Sequence, residues 1–173
     1  MTSGVSPLVS PPVVFVGPMA SGKTKIGKRI ARILGVGFTD TDRVVVAEHG
    51  PIAEIFATHG EARFRKWERK AVVAALHSDH VVSLGGGAVL DADTRADLAM
   101  QRVILLTVTP EVVAKRLAVD PGKRPLLAGG VTDWERIYAA RRSLYEEVAT
   151  MTFDTSNGDF DTITREVAAW LTM

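Results

Sequence analysis

Apolar residues gather in short runs at Val13–Val16, Gly37–Asp40, Val81–Leu84, Val103–Val108 and Met151–Asp154. Runs of that length, bounded by glycine, proline and polar residues, predict strands. The stretches between them show the three- and four-residue spacing of amphipathic helices. Lys25–Leu34, for example, puts Ile26, Ile30, Ile33 and Leu34 on one face. Strands that alternate with helices predict an α/β fold, with a parallel sheet covered on both faces.

Two connections are unusual. Between the second and third runs lie three helical segments, Asp42–His49, Pro51–Thr58 and Gly60–His77. One crossover needs only one helix, so residues 42–77 are expected to form a substrate-binding subdomain. The stretch Val119–Gly130 has glycine and proline at both ends and basic residues between them. That composition suits a mobile lid over phosphates; an ordinary surface loop is the alternative. Thr132 and Glu135 then form a capping-box pattern that opens a helix running through Val148. Its inward stripe holds Trp134, Ile137, Tyr138, Leu144, Tyr145 and Val148, which leaves one arginine of the Arg141–Arg142 pair near the boundary.

The chain of 173 residues is 46% apolar, enough for one domain with a real core, expected over residues 13–173. Residues 1–12 read as a flexible tail without the pattern of a signal peptide. No run reaches the roughly 18 apolar residues that span a bilayer, so a cytoplasmic location is expected. A net charge of +1 provides no field to recruit nucleic acid or an anionic membrane. The absence of cysteine excludes disulfides, zinc–thiolate sites and thiol catalysis.

The chemistry begins at Gly17-Pro-Met-Ala-Ser-Gly-Lys-Thr24, a G-x-x-x-x-G-K-T phosphate-binding loop between the first strand and the first helix. Backbone N–H groups of such a loop curl around phosphates at the helix N-terminus. Lys23 reaches the β- and γ-phosphates, and the Thr24 hydroxyl binds Mg²⁺. This context implies a nucleoside triphosphate ligand. Asp40 and Asp42 stand at the end of the second strand; if the chain is extended there, both carboxylates face the ligand crevice. Alternatively Asp42 only caps the next helix. Arg65 and Glu68 are three apart on one helix and can pair, either for function or as surface decoration. Trp67 belongs to the apolar stripe of that helix with Phe64, Ala71 and Ala75. Gly85-Gly86-Gly87 suggests backbone set hard against a ligand.

Together these residues resemble the shikimate kinases, P-loop small-molecule kinases of the nucleoside-monophosphate-kinase type. The resemblance runs from about Val13 to Leu171, through Asp40-Thr41-Asp42, Phe64-Arg65-x-x-Glu68, Leu84-Gly85-Gly86-Gly87, Arg124-Pro125-Leu126-Leu127 and Arg142-Ser143-Leu144-Tyr145. It implies a three-layer fold with a five-stranded parallel sheet in order 2-3-1-4-5, inserted substrate-binding helices and a lid. It implies transfer of the ATP γ-phosphoryl group to the 3-hydroxyl of shikimate, in aromatic amino acid biosynthesis, by a monomeric enzyme. By the same resemblance Ala20, Ser21, Gly22, Lys23, Thr24 and Lys25 contact ATP as co-substrate. Thr24 holds Mg²⁺ with support from Asp40, and Asp42 binds ring hydroxyls and acts as base. Arg65 and Arg142 hold the shikimate carboxylate, Glu68 orients Arg65, Gly86 and Gly87 approach the substrate, and Arg124 reaches in from the lid.

Three positions depart from the family pattern. Ala20 replaces a frequent glycine, which is sterically acceptable if its φ is negative. Val46 stands where a glutamate is common. The loop Thr155–Asp159 lacks the usual arginine against adenosine, so Arg116 becomes the candidate to stack on adenine. Two rivals are a gluconate kinase of the same superfamily and a GTPase-like switch. The switch lacks support, because neither an Asp-x-x-Gly after the third strand nor an Asn-Lys-x-Asp guanine reader occurs.

Overall fold

The computed structural model describes residues 12–119 and 128–173. In chain order the elements are β1 (Val13–Val16), α1 (Lys23–Leu34), β2 (Phe38–Asp40), α2 (Thr41–His49), α3 (Ile52–His59) and α4 (Glu61–Leu76). There follow β3 (Val81–Ser83), a 3-10 turn (Ala88–Leu90), α5 (Ala92–Leu98), β4 (Arg102–Thr107), α6 (Pro110–Val119), α7 (Val131–Val148), β5 (Met151–Asp154) and α8 (Phe160–Leu171). The five strands form a single sheet in the order β2-β3-β1-β4-β5, with every pairing parallel. This is the expected order.

A central parallel strand is buried on both faces, so its sequence is continuously apolar; all four residues of β1 are buried. Its side chains still alternate between the layers. Val14 and Val16 join Val82, Leu84, Val103 and Leu105 against Val72 and Leu76 of α4, Leu98 of α5 and Tyr145 of α7. Val13 and Phe15 face the other way, with Ile104 and Leu106, onto Ile26 and Ile30 of α1 and Val167 and Leu171 of α8. The inserted helices have their own small core of Val45, Ile55, Phe64 and Ala71.

Two local expectations change. Ile33 is 57% exposed, because the buried face of α1 centres on Ile26, Gly27, Ile30 and Ala31. The capping box does not form: α7 begins at Val131 behind Gly130, with no side-chain cap. Asp133 instead accepts the N–H of Gly129 at 2.7 Å, which ties down the turn leading into the helix.

Candidate active site

The phosphate loop leaves β1 at Gly17, whose φ is 142° and whose Cβ, if present, would collide with the carbonyl of Leu106. Only glycine fits where the loop turns over β4. The loop feeds α1, whose N-cap Gly22 offers no side chain and whose first turn holds no acid. The first N–H groups of a helix without a side-chain cap, at the positive end of its dipole, suit an anion. Lys23 Nζ donates to the carbonyls of Gly17 at 2.8 Å and Pro18 at 2.9 Å, so the ammonium lies along the loop. Ser21 is fully buried, and Lys25 Nζ sits 4.7 Å over the Phe160 ring.

Ala20 has φ 67°, so the condition of a negative φ is not met. An L-residue with a Cβ costs about 1–2 kcal/mol in this left-handed region. Arg116 lies behind the loop, its Nη1 2.5 Å from the Ala20 carbonyl and its Nη2 2.7 Å from that of Thr155. Its guanidinium carbon is 5.0 Å from the Phe160 ring centre.

The end of β2 brings in the carboxylates, though not along an extended chain. Helix α2 already begins at Thr41, with Asp40 as its N-cap accepting from the Arg43 N–H at 3.3 Å. Asp40 and Asp42 therefore converge through the geometry of a helix start, and it is Asp40 that caps. Asp40 Oδ2 also accepts from the Thr24 hydroxyl at 2.8 Å, which links the loop to β2. Between the carboxylates, buried Thr41 accepts the N–H of Gly85 at 3.1 Å and donates to the Ser83 carbonyl at 3.4 Å. That bond sets the glycine run beneath Asp42.

The glycines have a steric reason. A Cβ on Gly85 would strike the Asp42 carboxylate, and one on Gly87 would strike the Arg65 guanidinium. Arg65 Nη1 pairs with buried Glu68 at 2.7 Å, and Nη2 with Glu61 at 3.1 Å. Burial, then the neighbouring Asp40, raises the Asp42 pKa above the ordinary carboxylate range, against the pull of Lys23, Arg65 and Arg141. Burial also pushes Glu68 up to about 7, despite the opposing charge of Arg65. Tyr145 donates to the Gly86 carbonyl at 2.5 Å, and burial pushes its hydroxyl up to about 12.

The arginine of α7 is a correction. Arg142 points away from this cavity: its side chain is 65% exposed and pairs with Glu146 at 2.8 Å. Arg141 is the one turned inward, 9% exposed and lining the cavity beside Gly86 and Glu68. Successive helical residues differ by about 100°, so one position exchanges core for solvent. The signal was present in the sequence, because Arg141 falls three after Tyr138 and four before Tyr145 on the inward stripe. Arg124, with residues 120–127 of the expected lid, lies outside the described residues.

These groups line one cavity of about 490 Å³. Lys23, Thr24 and Lys25 stand at one end, Arg65, Glu68 and Arg141 at the other, with Asp40 and Asp42 between and Ile52, Phe56 and Phe64 forming an apolar wall. A phosphate loop and an acceptor-sized cleft joined by carboxylates define a small-molecule kinase of the P-loop class.

The comparisons with known proteins narrow the class. The family model for shikimate kinase matches residues 19–172. The shikimate kinase of Streptomyces coelicolor is 49% identical over 144 residues, covering 82% of this chain and 84% of its own. The shikimate kinase of Acinetobacter baumannii, solved in complex with shikimate, superposes with a TM-score of 0.87 at 30% identity, over 94% of this chain and 93% of the other. A gluconokinase from Sinorhizobium meliloti has a TM-score of 0.64 at 21% identity, over 94% and 93%, and shares the fold alone. This chain belongs to the shikimate kinase family.

Proposed function

We propose that this chain transfers the γ-phosphoryl group of ATP to the 3-hydroxyl of shikimate, giving shikimate 3-phosphate and ADP. The observation that carries the reading is the position of Asp42, in one cavity with Lys23 on its nucleotide side and Arg65 and Arg141 on its acceptor side. Phosphoryl transfer requires positioning and positive charge more than covalent chemistry. The two guanidinium groups bind the planar carboxylate of the acceptor in forked geometry. Glu68, 2.7 Å from Arg65 Nη1, holds that guanidinium in place. The ring hydroxyl then lies against Asp42, which takes its proton as the oxygen attacks phosphorus. A raised pKa favours that acceptance near neutral pH. Lys23 stabilises the charge that develops on the transferring oxygens, a task the family resemblance also gives Arg124.

Mg²⁺ fits the donors present, because the Thr24 hydroxyl and the Asp40 carboxylate are adjacent hard oxygens. Among the described residues no cluster of three or more His, Cys, Asp or Glu could hold a metal. Mg²⁺ beside phosphates uses only one or two protein carboxylates. When bound, it would neutralise phosphate charge. Among the described residues no helix is long and apolar enough to cross a membrane. A cytoplasmic, monomeric enzyme completes the reading, and the net charge of +1 supports the absence of nucleic-acid and anionic-membrane partners.

ADP release measured with shikimate, with gluconate and with no acceptor tests this directly. Turnover with shikimate alone is expected; equal turnover with gluconate would overturn the acceptor assignment.

A further inference from the structure

Five successive carbonyls of the phosphate loop accept a hydrogen bond from a side chain. Those of Gly17 and Pro18 are held by Lys23, as above. The Met19 carbonyl accepts from Trp134 Nε1 at 2.8 Å, that of Ala20 from Arg116, and that of Ser21 from the Thr155 hydroxyl at 2.8 Å. In a trans peptide the C=O and the following N–H point in opposite directions. Pinning the outer carbonyls therefore fixes where the inner N–H groups point. Ala20 sits between two pinned planes, and its φ and ψ are the angles that relate them. Here the left-handed φ of 67° falls on a residue with a Cβ. Such strain persists only where the surroundings over-determine it.

We infer that Trp134 is a positioning residue for ATP: together with Arg116 it clamps the two peptide planes around Ala20 and holds the loop in its phosphate-binding shape. Trp134 is 1% exposed, packs with Val108 and Val113, and stacks on Tyr138 with ring centres 5.0 Å apart. It comes from the first turn of α7, the helix that carries Arg141, and has no place in the acceptor cavity. A glycine at position 20 would adopt the same φ without steric cost, so the clamp compensates for the alanine.

The inference rests on ATP binding at this loop, and its test separates the two. Trp134→Phe keeps an aromatic ring and removes the N–H. It should raise the KM for ATP about 3- to 10-fold, the effect of one neutral hydrogen bond, with the KM for shikimate unchanged. In the Ala20→Gly background the same substitution should cost less than about 2-fold, because neighbouring effects are then non-additive. Equal losses in the two backgrounds, or a parallel rise in the KM for shikimate, would overturn the clamp. If Trp134→Phe does not fold, benzothienylalanine at position 134 keeps the ring shape without the donor and must give the same pattern. Wild-type protein without shikimate-dependent ADP release would instead overturn the kinase reading.

Discussion

The two ends of the cavity are built in different ways. At the nucleotide end, one continuous segment from Gly17 to Lys25 offers backbone N–H groups, and its carbonyls are held back by Lys23, Trp134, Arg116 and Thr155. At the acceptor end the charged side chains come from three separate helices: Asp42 belongs to α2, Arg65 and Glu68 to α4, and Arg141 to α7. Phosphate is common to many ligands and can be bound by a reusable backbone loop. A particular acceptor must be recognised by side chains, which only the tertiary fold can assemble. The nucleotide end should therefore tolerate side-chain changes that spare the loop geometry, whereas the acceptor end should fail one residue at a time.

The sharpest test of that contrast is Asp42→Asn, which removes a general base and should lower kcat by about 10²–10⁴ even at saturating shikimate. Retention of half the wild-type kcat would remove Asp42 from proton transfer. Lys23→Ala comes next, with an expected loss of about 100-fold or more in kcat and an unchanged fold by circular dichroism. The α7 arginines give the finest discrimination. Arg141→Ala should raise the KM for shikimate about 10- to 100-fold with little change for ATP, since bonds to a charged partner are worth about 1.5–3 kcal/mol. Arg142→Ala, on the exposed side, should leave both constants within about 2-fold. The reverse result would restore Arg142 to the site.

These differences follow what was legible in the sequence. The strands and the phosphate loop could be read because each rests on a local pattern: apolar runs for β1, β3 and β4, and spaced glycines with Lys23 and Thr24; the strand order followed only from the family resemblance. The choice between Arg141 and Arg142 hinged on about 100° of helix rotation, and the motif alone displaced it by one residue. The hydrophobic stripe through Trp134, Tyr138 and Tyr145 already pointed to Arg141. Asp40 and Asp42 were expected on an extended chain because the strand pattern ends without a clear boundary there; the helix starts one residue earlier than the pattern suggests. The left-handed Ala20 was signalled only by the glycine that the family frequently carries there, because nothing in an alanine itself points to a positive φ. Its conformation comes from partners at Trp134 and Arg116, about a hundred residues away.

The pairing of Arg65 with buried Glu68 should also leave a signature in stability. Burial raises Glu68 from its ordinary 4.5 to about 7, so the folded state holds a proton that the unfolded state releases. Its contribution is fully present below pH 4.5 and is lost as pH rises through about 7. Relative to Glu68→Gln, which cannot titrate, the wild type should lose up to about 3 kcal/mol across that window. Urea melts of both proteins at pH 5 and pH 7.5 measure the difference. A gap that stays constant with pH would mean that Arg65 keeps Glu68 ionised throughout.

The smallest effect should come from the nucleotide end, at Ala20→Gly. Removing the Cβ relieves about 1–2 kcal/mol of left-handed strain, while the extra freedom of glycine in the unfolded chain offsets about 0.5–1 kcal/mol. A net gain of about 0.5–1 kcal/mol should raise Tm by roughly 1–4 °C for a chain of this size. Ala20→Ser retains the Cβ and should show no such gain, which separates relief of backbone strain from any change in polarity. Thermal melts of the three proteins decide the matter. If glycine lowers Tm while serine leaves it unchanged, the conformation at position 20 is not strained, and the carbonyl clamp from Trp134 and Arg116 has nothing to hold.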